Sequence, residues 1–171
     1  MAAITLHNAT LDDAPAIRAL FARSYATFLA DDYAPEVLER AMPFLTFAKP
    51  ELLSSGTYYI AGTEAGDIVG AGGWTAVRPG SREGDVQPGL AHVRHFAVDP
   101  DHARKGIASM LFDRCVSDAK ASENVTRFEC YSTLTARRFY ESRGFRVIGD
   151  FEAPFAPDFR FPSLHMVCDL D

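Results

Sequence analysis

The sequence predicts a mixed α/β fold of the α+β type, with helices packed on one mixed sheet. Three observations support this prediction. Segments of helical period alternate with segments of strand period along the 171 residues. Two strand-like runs in the middle flank a short turn, which predicts an antiparallel hairpin. A strand, a helix and another strand follow, and such a crossover makes its two strands parallel or leaves them neighbours.

The first part of the chain is predicted to hold one strand and then helices. Residues 4–7 alternate apolar and polar side chains, which favours a short strand. Asp12 is the predicted cap of the first helix, and Pro15 falls in the first turn, where its missing N–H costs nothing. The apolar face of this helix comprises Ile17, Leu20, Phe21, Tyr25, Phe28 and Leu29. Pro35 opens a second helix that Pro43 ends or kinks, and short helical pieces follow.

From residue 57 the predicted elements change to strands. Residues 57–62 and 68–77 form the predicted hairpin around a turn at residues 64–67. Residues 78–89 contain two prolines and three glycines among charged residues, which predicts a loop. Residues 91–98 are the fourth predicted strand.

The last part of the chain alternates helices and strands. A helix is predicted from Lys105 to about residue 121. The remaining elements are strands at residues 125–132, 146–151 and 164–170 and a short helix at residues 135–143. Gly144 ends that short helix, and Phe145 is placed for the apolar contact of a Schellman end. Residues 152–162, rich in Phe and Pro, are predicted to be a loop.

Composition and charge exclude several classes of protein. An apolar fraction of 47% excludes wholesale disorder, and no apolar run approaches the ~20 residues that span a bilayer. The 23 acidic against 17 basic residues argue against duplex nucleic acid as the main partner, although a local basic pocket remains compatible. Only Cys115, Cys130 and Cys168 could form disulfides, which suits a reducing compartment. With no visible secretory signal, we expect one cytoplasmic domain over residues 1–171 and no membrane partner.

The segment with the clearest chemistry is residues 92–109, HVRHFAVDPDHARKGIAS, where a strand leads into a helix. Free N–H groups and the dipole at a helix start favour an anion. Arg104 and Lys105 add positive charge, and Gly106 allows the backbone to approach a ligand, which suits a pyrophosphate. An ordinary basic helix start is the alternative for this segment alone. The glycine-rich residues 70–73 have no helix after them, so we predict close packing or a bulge there.

Two motifs carry a resemblance to a known family. Residues 103–108, Ala-Arg-Lys-Gly-Ile-Ala, resemble motif A of the GNAT superfamily of acyl-CoA-dependent N-acetyltransferases, which reads Gln/Arg-x-x-Gly-x-Gly/Ala. The first position differs, because Ala103 stands there and the Arg follows one place later. Residues 135–145 resemble the family's motif B, A-x-x-F-Y-x-x-x-G-F, and the order of elements also agrees. The resemblance implies a mostly antiparallel twisted sheet that splays between a parallel fourth and fifth strand, where the CoA enters.

The resemblance also implies where acetyl-CoA binds. The backbone of Phe96, Ala97 and Val98 should hold the pantetheine arm and the acetyl carbonyl, with the amide of Phe96 as the oxyanion donor. The pyrophosphate should be bound by backbone N–H groups of Arg104, Lys105, Gly106, Ile107, Ala108 and Ser109.

The same resemblance assigns residues of the second motif. Thr133 and Ala136 should flank the CoA arm. Tyr140 matches the general acid that protonates the departing thiolate, and an aromatic core position beside Phe139 is the alternative.

The general base is less clear from the sequence. Many family members carry a Glu fourteen positions before the glycine of motif A, and here that position is His92, whose imidazole can accept a proton near neutrality. A solvent-facing His at a strand end is the alternative. Glu83, Asp85 or water could substitute, and Glu129 is a further candidate. His92 and His95 should point to opposite faces of a strand, so we expect no shared metal.

The acceptor site is expected near residues 25–47 and 151–161, which usually shape it in this family. The aromatic and acidic residues there are Phe28, Tyr33, Phe44, Phe47, Phe155, Phe159, Asp31, Asp32 and Asp158. An aromatic pocket with carboxylates at its rim would suit a cationic amine with an apolar body, and core Phe with surface Asp is the alternative.

The expected function is therefore transfer of an acetyl group from acetyl-CoA to a primary amine by direct attack in a ternary complex, without a metal. The acceptor is a small molecule or a peptide: an amine, an amino acid, an aminoglycoside-like compound, or a protein N-terminus or lysine. A CoA-binding regulatory or scaffold domain without turnover is the alternative. Transfer to oxygen, a longer acyl chain and a homodimer remain open.

Overall fold

A computed structural model describes residues 3–81 and 85–171 and contains one seven-stranded sheet in the order β1-β2-β3-β4-β5-β7-β6. The strands are β1 (Ile4–Asn8), β2 (Tyr58–Thr63), β3 (Ile68–Thr75), β4 (Leu90–Val98), β5 (Arg127–Thr133), β6 (Arg146–Ala156) and β7 (Phe159–Asp169). The pair β4–β5 is parallel, and every other neighbouring pair is antiparallel. The predicted fold class is confirmed. Glu83, a candidate base, lies outside the described residues.

The helices are α1 (Ala14–Phe28), α2 (Pro35–Leu45), α3 (Pro50–Leu53), α4 (Ile107–Glu123) and α5 (Arg137–Ser142). The predicted cap at Asp12 is wrong. One 3₁₀ turn precedes α1, and the Asp13 carboxylate accepts a hydrogen bond of 2.8 Å from the Thr10 backbone N–H. Pro43 lies inside α2, which continues to Leu45.

The ends of the later helices follow the glycines. Helix α4 begins two residues after the predicted start, because Gly106 has a φ of 80° and cannot join the helix. The Schellman end after α5 is confirmed, since the Phe145 N–H donates to the Tyr140 carbonyl at 3.0 Å and Gly144 has a φ of 97°.

The predicted loop at residues 152–162 is wrong, because β6 and β7 continue through it and leave only a tight turn between Ala156 and Phe159. Pro154 is tolerated because β6 is an edge strand, and the pairing shifts by a bulge beside it. The rings of Phe155 and Phe161 stack with centroids 5.0 Å apart, which stabilises the extended hairpin.

The two faces of the sheet each bury an apolar cluster. Helix α4 packs on one face, where Leu111 and Cys115 are fully buried, as the helical spacing predicts. Helices α1 to α3 contribute to the second cluster. The predicted close packing of residues 70–73 is confirmed, since a Cβ on Gly73 would lie 2.3 Å from the Thr57 carbonyl oxygen. Within the described ranges, no helix has the length and apolar character needed to cross a membrane.

Candidate functional site

Strands β4 and β5 separate after a short paired stretch. Pairing joins Leu90 to Arg127, Ala91 to Phe128 and His92 to Glu129. Beyond this point β4 stays paired with β3 and β5 with β7, so the sheet opens between them. The opening holds a cavity of about 540 Å³, here termed the main cavity. This is the gap in which the resemblance placed the cofactor.

A bulge shapes the β4 side of the main cavity. His95 has a φ of 52°, and the β3–β4 register shifts beside it. The His95 ring stacks on Phe21 at 4.1 Å, and its Nε2 lies 2.8 Å from the Leu45 carbonyl oxygen. Burial lowers the pKa of His95 to about 4, so its ring is neutral and Nε2 donates to that carbonyl. These contacts fix the backbone just before Phe96, which also lines the cavity.

Tyr140 lines the opposite side of the main cavity together with Thr133 and Ala136. Its ring packs edge-on against Phe96, with centroids 6.3 Å apart, and against Phe145. Burial raises the pKa of the Tyr140 hydroxyl well above its usual range, so the phenol keeps its proton at neutral pH. No hydrogen-bond acceptor for this hydroxyl is found among residues 3–81 and 85–171. A protonated donor therefore faces the cavity.

The turn between β4 and α4 presents backbone N–H groups. Arg104 and Gly106 have φ values of 61° and 80°, and alternation of left- and right-handed residues turns successive N–H groups to one side. The N–H groups of the first helical turn, from Ile107 onward, precede the first intrahelical hydrogen bond, which Met110 donates to Gly106. A Cβ on Gly106 would meet open space. The turn thus combines free N–H groups, open space and two basic side chains, which are the features that favour an anionic ligand.

The predicted cofactor residues do not all reach one cavity. Phe96, Thr133, Ala136 and Tyr140 line the main cavity. The others lie at or beyond the end of β4 and do not line it: Ala97, Val98, Arg104, Lys105, Gly106, Ile107, Ala108 and Ser109. The second group follows Phe96 directly in the sequence, so an extended ligand could contact both groups.

A second cavity of about 300 Å³ lies beside the paired end of β4 and β5. It is lined by Arg78, Asp85, Gln87, Leu90, His92, Glu129, Tyr131 and His165. Arg78 and Tyr131 also line the main cavity, so the two cavities adjoin. His92 therefore lies next to the cavity that contains Tyr140 and not inside it.

The second cavity contains a carboxylate between two imidazoles. Nδ1 of His92 lies 3.3 Å from one oxygen of Glu129, and Nε2 of His165 lies 2.9 Å from the other. His92 is only 4% exposed, so the alternative of a solvent-facing side chain is wrong. Burial lowers the pKa of His92, and the charge of Glu129 partly opposes that effect. His92 is thus neutral and can accept a proton at pH 7.

Sequence reasoning did not find His165. Its ring reaches Glu129 because the β5–β7 register sets His165 opposite Tyr131, and no local pattern encodes that register. Among the described residues, no group of three or more His, Cys, Asp or Glu is arranged to hold a metal ion.

The acceptor residues expected from the sequence separate into two groups. Phe44 and Phe155 line the main cavity, and the remaining aromatic candidates do not: Phe28, Tyr33, Phe47 and Phe159. Asp31 and Asp32 are exposed and do not line it, and Asp158 pairs with Arg40. The charged side chains that do line the main cavity are Lys49, Arg78 and Arg94.

Comparison with known families gives one match. The acetyltransferase (GNAT) domain model matches residues 26–154, which is more than half of the chain. A search of curated proteins finds no significant match.

Solved structures share the fold at low sequence identity. A GCN5-related N-acetyltransferase from Rhodopseudomonas palustris is 20% identical, with a TM-score of 0.71 over 99% of this chain and 96% of that one. PaiA N-acetyltransferase from Thermoplasma acidophilum, solved in complex with coenzyme A, is 14% identical, with a TM-score of 0.70 over 98% and 99%. A GNAT-family acetyltransferase from Staphylococcus aureus is 14% identical, with a TM-score of 0.65 over 99% and 100%.

Proposed function

The chain belongs to the GNAT acetyltransferases, and from this premise we propose that it transfers an acetyl group from acetyl-CoA to a primary amine in a ternary complex. The observation that carries the proposal is that Phe96 and Tyr140 line one cavity, with ring centroids 6.3 Å apart, where β4 and β5 separate. This arrangement sets a strand backbone and a protonated phenol on two sides of one space.

The residues of the β4–α4 turn suit the CoA end of the co-substrate. The left-handed backbone at Arg104 and Gly106 and the unpaired N–H groups of the first turn of α4 are suited to the pyrophosphate. The open space beside Gly106 leaves room for it. The Thermoplasma acetyltransferase with the same fold was solved with coenzyme A, which supports this class of ligand. When bound, the thioester supplies an activated acetyl group.

Two residues of the main cavity have separate roles in the proposed acetyl transfer. The Phe96 N–H donates to the acetyl oxygen as negative charge develops there. The amine nitrogen forms the new bond to the carbonyl carbon while the carbon–sulfur bond breaks. Tyr140 gives its proton to the leaving sulfur, and burial keeps that proton on the phenol until then.

The proton lost by the amine needs an acceptor. In this proposal His92 takes it by way of water at the boundary that Arg78 and Tyr131 form between the two cavities. The carboxylate of Glu129, 3.3 Å from Nδ1, stabilises the charged form of the imidazole. Asp85 lines the same cavity and is the competing acceptor.

The test is a screen of purified protein with acetyl-CoA and a panel of primary amines, measured by thiol release and by mass spectrometry of the acetylated product. Saturable release that depends on the amine supports the proposal. Tight binding of acetyl-CoA with no release from any amine would contradict it and favour a CoA-binding domain without turnover.

A further inference from the structure

The charge lining the main cavity is of one sign. Lys49, Arg78 and Arg94 line it, and no Asp or Glu lines it among residues 3–81 and 85–171. The whole chain carries a formal charge of −6, so this local excess of positive charge runs against the average. A cleft lined by charges of one sign focuses the electrostatic field, and the positive potential in this cavity attracts anions.

Arg94 lies in the cavity wall and has no carboxylate partner among the described residues. It is partly buried, and its guanidinium donates one hydrogen bond of 2.9 Å to the Thr75 hydroxyl. No carboxylate of the described residues lies within 4.0 Å of it, although a guanidinium has five N–H donors. Burial lowers the pKa of Arg94, and the charge of the more distant Glu51 only partly opposes that effect. A partly buried cation with free donors suits an anionic ligand.

Lys49 strengthens the same charge. Although the Lys49 side chain is exposed, partial desolvation is the main cause that lowers the pKa of its ammonium; repulsion from Arg94 lowers this pKa further, and the charge of Glu51 raises it. Both cations line the main cavity, and an anion bound between them would relieve this repulsion. Arg78 is partly satisfied, because it donates to the Tyr131 hydroxyl at 2.6 Å.

The phosphates of CoA do not account for these cations. The backbone turn proposed for the pyrophosphate, residues 104–109, contributes nothing to the lining of the main cavity. All three cations share the lining of the main cavity with Phe44 and Phe155, two of the aromatic side chains that the sequence associates with the acceptor. The positive charge thus lies in the cavity that would receive the acceptor.

From these observations we propose that the acceptor is an amine that also carries a carboxylate or a similar anionic group, bound by Arg94 and Lys49, with an apolar body against Phe44 and Phe155. This assignment rests on the proposed acetyl transfer and narrows its substrate to amino-acid-like amines. Polycationic acceptors, such as aminoglycoside-like compounds and lysine-rich peptides, are disfavoured because three cations would repel them.

The experiment compares matched pairs of acceptors that differ in one negative charge. The pairs are L-phenylalanine with L-phenylalaninamide, L-leucine with L-leucinamide, and 4-aminobutyrate with 4-aminobutanamide. Thiol release gives kcat/KM for each compound at saturating acetyl-CoA. For at least one pair we expect the acid to exceed its amide by about tenfold or more, as removal of a hydrogen-bonded charge partner would give.

Three variants connect that preference to the residues. Arg94→Gln and Lys49→Met should each bring the acid-to-amide ratio toward one, whereas Arg94→Lys should restore part of it. Lys49 is exposed, so its replacement does not threaten folding. Arg18→Gln removes the same charge from an exposed site on α1 and should leave the ratio unchanged. The KM for acetyl-CoA should stay constant in all four variants, because the phosphates bind elsewhere.

The outcomes separate this inference from the function on which it rests. Amides that equal or exceed every acid, or a ratio that is unchanged in Arg94→Gln and Lys49→Met, would overturn the anionic acceptor while acetyl transfer stands. Failure of all amines to release thiol from bound acetyl-CoA would overturn the proposed function itself.

Discussion

The two ends of the β4–β5 pair carry cavities of opposite character. At the paired end, the Glu129 carboxylate lies between the imidazoles of His92 and His165. At the open end, Tyr140 and Arg94 have donors that no described residue fully uses. From this difference we infer that the groups at the paired end can hold and pass on a proton, whereas the open cavity has donors for a ligand.

Loss of the Tyr140 hydroxyl should cause the largest loss of turnover, and it tests the role of the main cavity. Tyr140→Phe should lower kcat roughly 10³-fold, within the usual range for a general acid. Acetyl-CoA affinity should change little, because the ring keeps its packing on Phe96 and Phe145. Tyr59→Phe is the matched control, since it loses a hydroxyl bonded to Asp118 outside both cavities and should affect stability alone. Unchanged turnover in Tyr140→Phe would exclude the acid role.

His92→Ala tests whether the second cavity provides the base for the reaction in the main cavity. We expect about a 10²-fold loss of kcat/KM, at the lower end for a general base because Asp85 or water remains. As a base His92 must be neutral, so activity should rise with pH through its pKa, which burial holds below 6.5. That acidic limb should vanish in His92→Ala and persist in His7→Ala, a control on β1. A limb that survives the first substitution would point to Asp85 or to the amine.

Gly106→Val tests the turn that leads out of β4. Its φ of 80° makes a β-branched residue strained, and the added side chain would fill the space proposed for the pyrophosphate. The Kd for coenzyme A should rise about tenfold or more, because several charge-assisted hydrogen bonds are disturbed. Gly56→Val is the matched control, with a φ of 81° and equally open surroundings. Both variants should lose similar thermal stability, and equal CoA affinities would contradict the role of the turn.

Glu129→Gln should have the smallest effect on activity, and it tests whether the second cavity sets the pH dependence of the reaction. The charge of Glu129 raises the pKa of His92, so its removal should move the acidic limb to lower pH by about one unit or less. Parallel rate–pH profiles of the wild type and the variant check this shift. A limb at the same pH would show that Glu129 does not act on the base.

The stability of Glu129→Gln gives a second measurement. Burial raises the pKa of Glu129, but the hydrogen bond from His165 and the nearby charges outweigh it, so the net pKa lies below 4.5. A carboxylate whose pKa is lower in the folded than in the unfolded state stabilises the fold at pH values above the unfolded pKa. This stabilisation is lost as the pH falls through the folded pKa. The wild-type Tm should therefore fall more steeply than that of the variant below pH 4.5. Thermal melts across this range check the difference.

Features encoded locally were predictable from the sequence. The helix end at Gly144 follows from a single glycine after a helical pattern, whereas the left-handed φ of Gly106 moved the start of α4 from the predicted Lys105 to Ile107. The hairpin of β2 and β3 follows from two strand-like runs around a short turn. The fold and the candidate cofactor turn were predictable for this reason.

Features that depend on register or on distant segments were not predictable. The bulge at His95 uses a positive φ at a residue that seldom adopts one, and the contacts of its ring with Phe21 and the Leu45 carbonyl hold it there. The extension of β6 and β7 through Pro154 depends on an edge position that the sequence does not reveal. The cations of the main cavity come from residues 49, 78 and 94, which only the folded chain brings together.

The burial of all three cysteines has a practical consequence for these measurements. Cys115 and Cys130 have raised pKa values because burial disfavours their thiolates, and the thiolate is the form that attacks a disulfide reagent. A chromogenic disulfide reagent would therefore react with the thiol of released coenzyme A and not with the cysteines of the folded protein. The same reagent would register three additional equivalents when the chain unfolds, so a single cuvette can report both turnover and the integrity of each variant.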